Sequence, residues 1–142
     1  MSSHPWILGS KTKRWLALAA LFSLTSACGG GSLNHAETMY ASGDYVGAAE
    51  VLEHTQSRLS SCSPQERAQY ALYRGATLLS LGDIVSARHW TGVASRLNRQ
   101  DPQLLSDSER SMLQQVEVRV ERAHQARTAG SSLEGERLAT VP

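Results

Sequence analysis

The sequence predicts an all-α protein built from two antiparallel helical hairpins and a long C-terminal capping helix. The first observation is a near-repeat, in which the segment at residues 43–48, GDYVGA, returns 39 residues later as GDIVSA at residues 82–87. Repetition at a period of 20 to 50 residues is typical of stacked helical hairpins. The second observation is that apolar residues recur at helical spacing between residues 33 and 127, with almost no alternation of the strand type.

Length and charge narrow the class of protein. The chain has 142 residues, which favours one domain, and a formal net charge of +1. That value combines a basic start, with Lys11, Lys13 and Arg14, and a remainder from Cys28 onward with eleven Arg against thirteen Asp and Glu. A nearly neutral domain lacks the basic surface of a nucleic-acid binder, so that class is set aside.

The first 27 residues are predicted to be a secretory signal peptide. Basic residues precede an apolar run from Trp15 to Leu24, and small residues follow it. A run of this length is too short to span a bilayer, which needs about twenty apolar residues. A basic start, a short apolar core and small residues before a break are typical of secretion signals.

The end of this segment, Leu24-Thr25-Ser26-Ala27-Cys28, resembles the lipobox of bacterial lipoproteins, although leucine usually stands where Thr25 does. The resemblance implies that Cys28 is acylated, with palmitate among its lipids. It also implies anchoring in the cell envelope, at the outer membrane facing the periplasm. The alternative is an ordinary signal cleaved after Ala27, which leaves Cys28 as a thiol. Residues 28–32 are rich in glycine and are predicted to form a flexible tether.

The first hairpin is predicted from its turn. A helix over residues 33–42 ends at Gly43, since glycine readily adopts the left-handed conformation found just after a helix. Asp44 then caps a second helix over residues 45–59, because a carboxylate can accept hydrogen bonds from the first free amides. Apolar residues at helical spacing support that second helix.

The second hairpin begins at a strong start signal. Residues 63–66, Ser-Pro-Gln-Glu, form a capping box with proline at the first helical position, so the third helix covers residues 64–81. Gly82 and Asp83 repeat the stop-and-cap pattern of the first turn, and the fourth helix covers residues 84–97.

The fifth helix is predicted to cap the second hairpin. Ser106 to Glu109 form another capping box, and an apolar stripe of Met112, Val116, Val120 and Ala123 follows. End hairpins of a helical stack expose an apolar face, which this stripe can cover. The helical domain therefore spans residues 33–127, and residues 128–142, which lack periodicity, are predicted to be disordered.

Over about residues 33–97 the two hairpins resemble tetratricopeptide repeats. The family places small residues where paired helices approach closely, and the first hairpin has Ala36 and Ala48 at these positions. The second has Gly75 and Ala87. Two positions depart from the family pattern: arginine 74 replaces a leucine, and threonine 91 replaces a large apolar residue.

The resemblance implies a concave groove, lined by the first helix of each hairpin, that binds another protein. Its positions here are Glu37, Tyr40, Ala41, Gln69, Leu72, Tyr73, Ala76, Leu79 and Ser80. The two tyrosines are the leading contacts, because tyrosine combines a large contact area with a polar tip. The alternatives are that Tyr40 covers the Gly43 turn and that Tyr73 packs against the fifth helix.

The expected function is that of a membrane-anchored interaction module that positions or stabilises a partner in an envelope assembly. The alternative is a structural accessory subunit of secretion, pilus or cell-wall machinery, docked through the C-terminal helix. A third possibility is an accessory to a peptidoglycan enzyme, with catalysis elsewhere.

No enzyme is predicted, and neither is a cofactor, a metal or a small-molecule substrate. The four histidines after residue 28 lie on separate helices, and acidic pairs at helical spacing are usually solvated. The second cysteine, Cys62, lies in a polar loop and is predicted to be a tolerated free thiol; pairing between chains is the alternative.

Overall fold

A computed structural model describes residues 30–139, with side chains described as far as Gly130. The signal peptide expected at residues 1–27 and the lipobox cysteine lie outside this part of the chain. The described residues form five α-helices: α1 (Gly30–Ser42), α2 (Tyr45–Gln56), α3 (Pro64–Ser80), α4 (Ile84–Gln100) and α5 (Asp107–Ala139). Short 3-10 turns stand at Leu59–Ser61 and Pro102–Leu104. Residues 30–139 contain no strand, so the prediction of an all-α fold is confirmed.

The two Gly-Asp turns have the same backbone structure. Gly43 has φ = +86° and Gly82 has φ = +84°, in the left-handed region that glycine tolerates best. In each turn the glycine amide donates to the carbonyl three residues back, and the next amide donates to the carbonyl five residues back. This pair of bonds is the Schellman motif, so both hairpins turn through the same local device.

The aspartate of each turn caps the following helix as predicted. The Asp44 carboxylate accepts a hydrogen bond from the Gly47 amide at 2.9 Å, and Asp83 accepts one from the Ser86 amide at 3.1 Å. Hydrogen bonds from the side chain and amide of Ser86 hold the pKa of Asp83 below its ordinary value. The carboxylate therefore stays charged at the positive end of α4, where a negative charge is stabilising.

The helices pack in a regular order. Helices α1 and α2 form the first hairpin, and α3 and α4 form the second. Helix α1 contacts α3, and α3 contacts α5. Helix α2 lies against α1 and α3, whereas α4 lies against α3 and α5. The groove-lining helices of the prediction, α1 and α3, are therefore neighbours, and α5 extends their row.

The two helices of the second hairpin approach each other closely at Gly75, one of the small residues predicted at such a contact. A Cβ atom on Gly75 would lie 2.6 Å from the Thr91 Oγ1 atom and 2.9 Å from the Thr91 backbone nitrogen. The same Cβ would lie 3.4 Å from the Ala87 carbonyl oxygen. The backbone of α4 thus passes directly over Gly75. This close approach explains why a large apolar residue is missing at position 91.

Arg74 forms a polar bridge between the two hairpins. Its guanidinium donates a hydrogen bond to the Ala49 carbonyl of α2 at 2.8 Å and lies 3.9 Å from the Glu53 carboxylate. The Arg74 side chain is only 12% exposed, so its aliphatic stem packs like an apolar residue.

Helix α5 covers the second hairpin with a stripe close to the predicted one. Val116 and Val120 pack with Ala76, Leu79 and Ala87 of that hairpin. Leu113, which the predicted stripe omitted, is only 3% exposed and joins a second cluster with core residues of α3 and α4. Met112 and Ala123 are half-buried at the border of the stripe.

Helix boundaries differ from the prediction at both ends of the domain. Residues 30–32 of the expected tether form the first turn of α1, where helix amides have no intrahelical partner and glycine is tolerated. Residues 128–139, expected to be disordered, continue α5. Adding a residue to an existing helix costs far less than nucleating one, and the Ala, Leu and Glu residues of this stretch favour a helix although two Gly lie among them.

Candidate functional site

The candidate site is an open groove of about 600 Å³ between α1, α3 and the beginning of α5, which we call the polar groove. Its lining consists mainly of amide, hydroxyl and carboxylate side chains with one aromatic ring and one thioether. The lining residues are Glu37, Gln65, Gln69, Tyr73, Gln103, Ser106, Ser108, Glu109 and Met112.

Three of the predicted groove residues line it: Glu37, Gln69 and Tyr73. Tyr40 lies beside it, with its ring centroid 6.1 Å from that of Tyr73 and 5.4 Å from that of Tyr45. Tyr40 therefore packs between the groove and the first turn. This position is close to the alternative prediction, in which Tyr40 covers the Gly43 turn.

The other predicted groove residues lie elsewhere. Leu72 is 0% exposed, Ala76 1% and Leu79 9%, and all three belong to the core. The expectation that they line a groove is wrong, because α5 lies over this part of α3 and fills the space in front of them. Ala41 is exposed and Ser80 is half-buried, and neither lines the polar groove.

Tyr73 is the central aromatic residue of the groove. It is 7% exposed, and it lines the groove together with Glu37. Burial raises the pKa of Tyr73 well above its ordinary value, and the hydrogen bond and negative charge of Glu37 raise it further, as does the charge of Glu109. The hydroxyl thus stays protonated at any physiological pH and acts as a donor.

Glu109 joins the start of α5 to α3. Its Oε1 atom accepts a hydrogen bond from the Gln69 side-chain amide at 2.9 Å. Its Oε2 atom accepts from the Ser106 backbone amide at 2.7 Å and from the Ser106 hydroxyl at 2.8 Å. These bonds complete the predicted capping box and hold the carboxylate at the wall of the groove.

The groove lining carries negative charge. Two carboxylates, Glu37 and Glu109, contribute to it, and no Arg, Lys or His stands among the lining residues. Arg110, which follows Glu109 on α5, donates to the carbonyl oxygens of Pro102 and Leu105 and pairs with Asp107.

The sequence does not predict the groove residues on the α4–α5 connection and on α5, nor Gln65 at the start of α3. The pattern at residues 106–109 predicts a capping box, which by itself indicates only where a helix starts. Its place in the groove depends on α5 beginning beside α3, and the sequence gives no local signal for that contact.

His35 and His54 line one open pocket of about 540 Å³ together with Glu50 and Arg58, whereas His89 and His124 lie on α4 and α5. The His54 ring contacts the Glu50 carbonyl at 2.8 Å, His124 lies 3.2 Å from the Arg88 guanidinium, and His89 packs edge-on against a tryptophan ring. Among the described residues, no three His, Cys, Asp or Glu side chains gather as metal ligands would.

Cys62 is not the free loop thiol expected from the sequence. It is 6% exposed, it follows the 3-10 turn after α2, and it is disulfide-bonded. The sequence has one other cysteine, Cys28, which lies outside the described residues. A disulfide within one chain therefore requires the Cys28 sulfur.

Comparison with models of protein families, with curated proteins and with solved structures finds no match to this chain. The likeness to tetratricopeptide repeats thus stays a prediction from the residues quoted above. No helix within residues 30–139 combines the length and apolar character needed to cross a bilayer.

Proposed function

We propose that this protein is an exported protein–protein interaction module that positions or stabilises a partner in an assembly of the cell envelope. The observation that supports this proposal is the polar groove, which lies between three helices and is lined in part by the largely buried Tyr73. Binding sites often lie in clefts between the helices of a bundle. An aromatic side chain with a polar tip is a common anchor of protein interfaces.

The chemistry of the groove supports binding rather than catalysis. Ser106 and Ser108 have a carboxylate beside them but no histidine among the lining residues to act as a base. The pKa of Tyr73 is raised, whereas a catalytic tyrosine that accepts a proton needs a lowered one.

Two features support export. The basic and apolar start of the chain has the pattern of a secretion signal, and disulfides such as that of Cys62 form mainly in oxidising compartments. We further propose that Cys28 is the point of attachment to the envelope membrane. A lipid thioether and a disulfide cannot share one sulfur atom, so an acylated Cys28 requires Cys62 to pair with another chain.

Mass spectrometry of the mature protein tests the anchor. We expect an N-terminus at Cys28 carrying a diacylglyceryl group, and labelling with radioactive palmitate that is lost in Cys28→Ser. Detection of a peptide in which a disulfide joins Cys28 to Cys62, separable only by reductant, would contradict the lipid anchor. A Cys62→Ser variant is the matched control, since it should keep its lipid.

Site-specific photocrosslinking tests the binding surface. A photoreactive amino acid at Gln65, an exposed groove position, should form a discrete adduct in the envelope of living cells. The same group at Arg96, exposed on α4 away from the groove, should form none. Adducts of equal yield from both positions would show that the groove is not the binding surface.

One observation favours the alternative function, an accessory subunit docked through the C-terminal helix. Helix α5 has 33 residues, whereas α3 has 17, and Val118 on its outer face is 56% exposed. Adducts from position 118 combined with none from position 65 would support this alternative.

A further inference from the structure

We propose that the polar groove binds an extended peptide segment through a lysine or arginine side chain, held between Glu37 and Glu109 beside Tyr73. This inference rests on the proposed function and names the chemistry of its partner. The occupant is thus a basic segment of another protein.

Two carboxylates give the groove its preference for a cation. Glu37 lies on α1 and Glu109 at the start of α5, so the two carboxylates enter the groove from different helices. Both raise the pKa of the Tyr73 hydroxyl through their negative charge, which places both within electrostatic range of one point in the groove. A cation at that point would be attracted by two carboxylates and repelled by no lining residue.

The starts of α3 and α5 reinforce this preference. A helix start normally favours anions because its first amides lack partners. Here a glutamate engages each start: Glu66 accepts the Ser63 amide at 2.8 Å, and Glu109 accepts the Ser106 amide at 2.7 Å. These capping carboxylates place a negative charge at each helix start, which opposes the binding of an acidic peptide there.

The remaining lining suits the stem of a basic side chain and the peptide around it. Tyr73 lines the groove with the small part of its surface that is exposed, and Met112 offers an adaptable apolar surface to the methylene stem. Side-chain amides of Gln65, Gln69 and Gln103 can both donate to and accept from a peptide backbone.

The test titrates the full chain with three blocked seven-residue peptides of Ala, Gly and Ser that carry a central Arg, Gln or Glu. Binding is followed through the backbone amide NMR signals. We expect saturable shifts at groove residues for the Arg peptide. The Gln and Glu peptides should bind at least about five-fold more weakly. Raising the salt concentration should weaken the binding of the Arg peptide alone, because salt screens the attraction between partly exposed charges.

Two protein variants sharpen the test. Glu37→Gln removes a groove carboxylate that is exposed in the fold and should weaken the Arg peptide about three- to five-fold. Glu50→Gln is the matched control, since it removes an exposed carboxylate of α2 outside the polar groove and should leave binding unchanged.

The outcomes separate this inference from the function on which it rests. If the Gln or Glu peptide shifts the groove signals as strongly as the Arg peptide, the cation preference is overturned and the interaction module stands. If no peptide shifts the groove signals, or if shifts occur only elsewhere, both are overturned.

Discussion

Replacing Gly75 by alanine is expected to lower the free energy of unfolding by about 1 to 3 kcal/mol, the usual cost of overpacking a core. The new Cβ would lie 2.9 Å from the backbone nitrogen of Thr91, an atom that cannot move without shifting α4. Helix propensity alone predicts the opposite sign, since alanine is favoured over glycine in a helix by about 1 kcal/mol. Urea denaturation followed by circular dichroism measures the difference.

Gly92→Ala is the matched control. Gly92 lies within α4, and a Cβ there would meet only the Arg96 guanidinium, at 3.8 Å. This substitution should therefore raise stability by about 0.5 to 1 kcal/mol through helix propensity. Equal effects of the two substitutions would mean that α3 and α4 do not approach closely at Gly75. Thr91→Ala is expected to restore part of the stability lost in Gly75→Ala. This second substitution removes the contact with the Thr91 hydroxyl but leaves the contact with the backbone nitrogen of residue 91.

Replacing Leu72 by alanine is expected to cost about 2 to 5 kcal/mol of stability, the range for removing a buried leucine. Leu72 is 0% exposed and packs with Ala68, Ala94 and Leu113, so the lost side chain leaves a cavity between three helices. Thermal and urea unfolding of the variant would measure this loss.

This experiment also tests the correction made to the predicted groove. Leu81→Ala is the control, because Leu81 is 44% exposed at the end of α3 and its loss should change stability by about 0.5 kcal/mol or less. If Leu72→Ala kept normal stability and instead weakened the Arg peptide, Leu72 would belong to the groove after all.

Local structure was predictable wherever a few neighbouring residues decide it. Gly43 and Gly82 adopt the expected left-handed conformation, and Asp44 and Asp83 accept the expected capping bonds. The capping box before α3 also has both of its bonds. Each of these features depends on groups within about six residues along the chain, so the sequence signal is complete in itself.

The groove was predictable only in part. Glu37, Gln69 and Tyr73 followed from the repeat resemblance, because their positions depend on the two hairpins alone. Glu109 and the other residues around the α5 start could not be placed, since their role depends on how α5 lies against α3. Leu72 was misplaced for the same reason.

The sequence by itself determined the all-α class, the two Gly-Asp turns and their caps, because hydrophobic periodicity and local hydrogen bonding encode them. Only the tertiary structure decided which face of α3 stays open. Packing of α5 removes Leu72, Ala76 and Leu79 from water and leaves Gln69 and Tyr73 at the groove. The physical reason is that an amphipathic stripe specifies that a helix must be covered, whereas the partner that covers it is chosen by contacts distant in the chain.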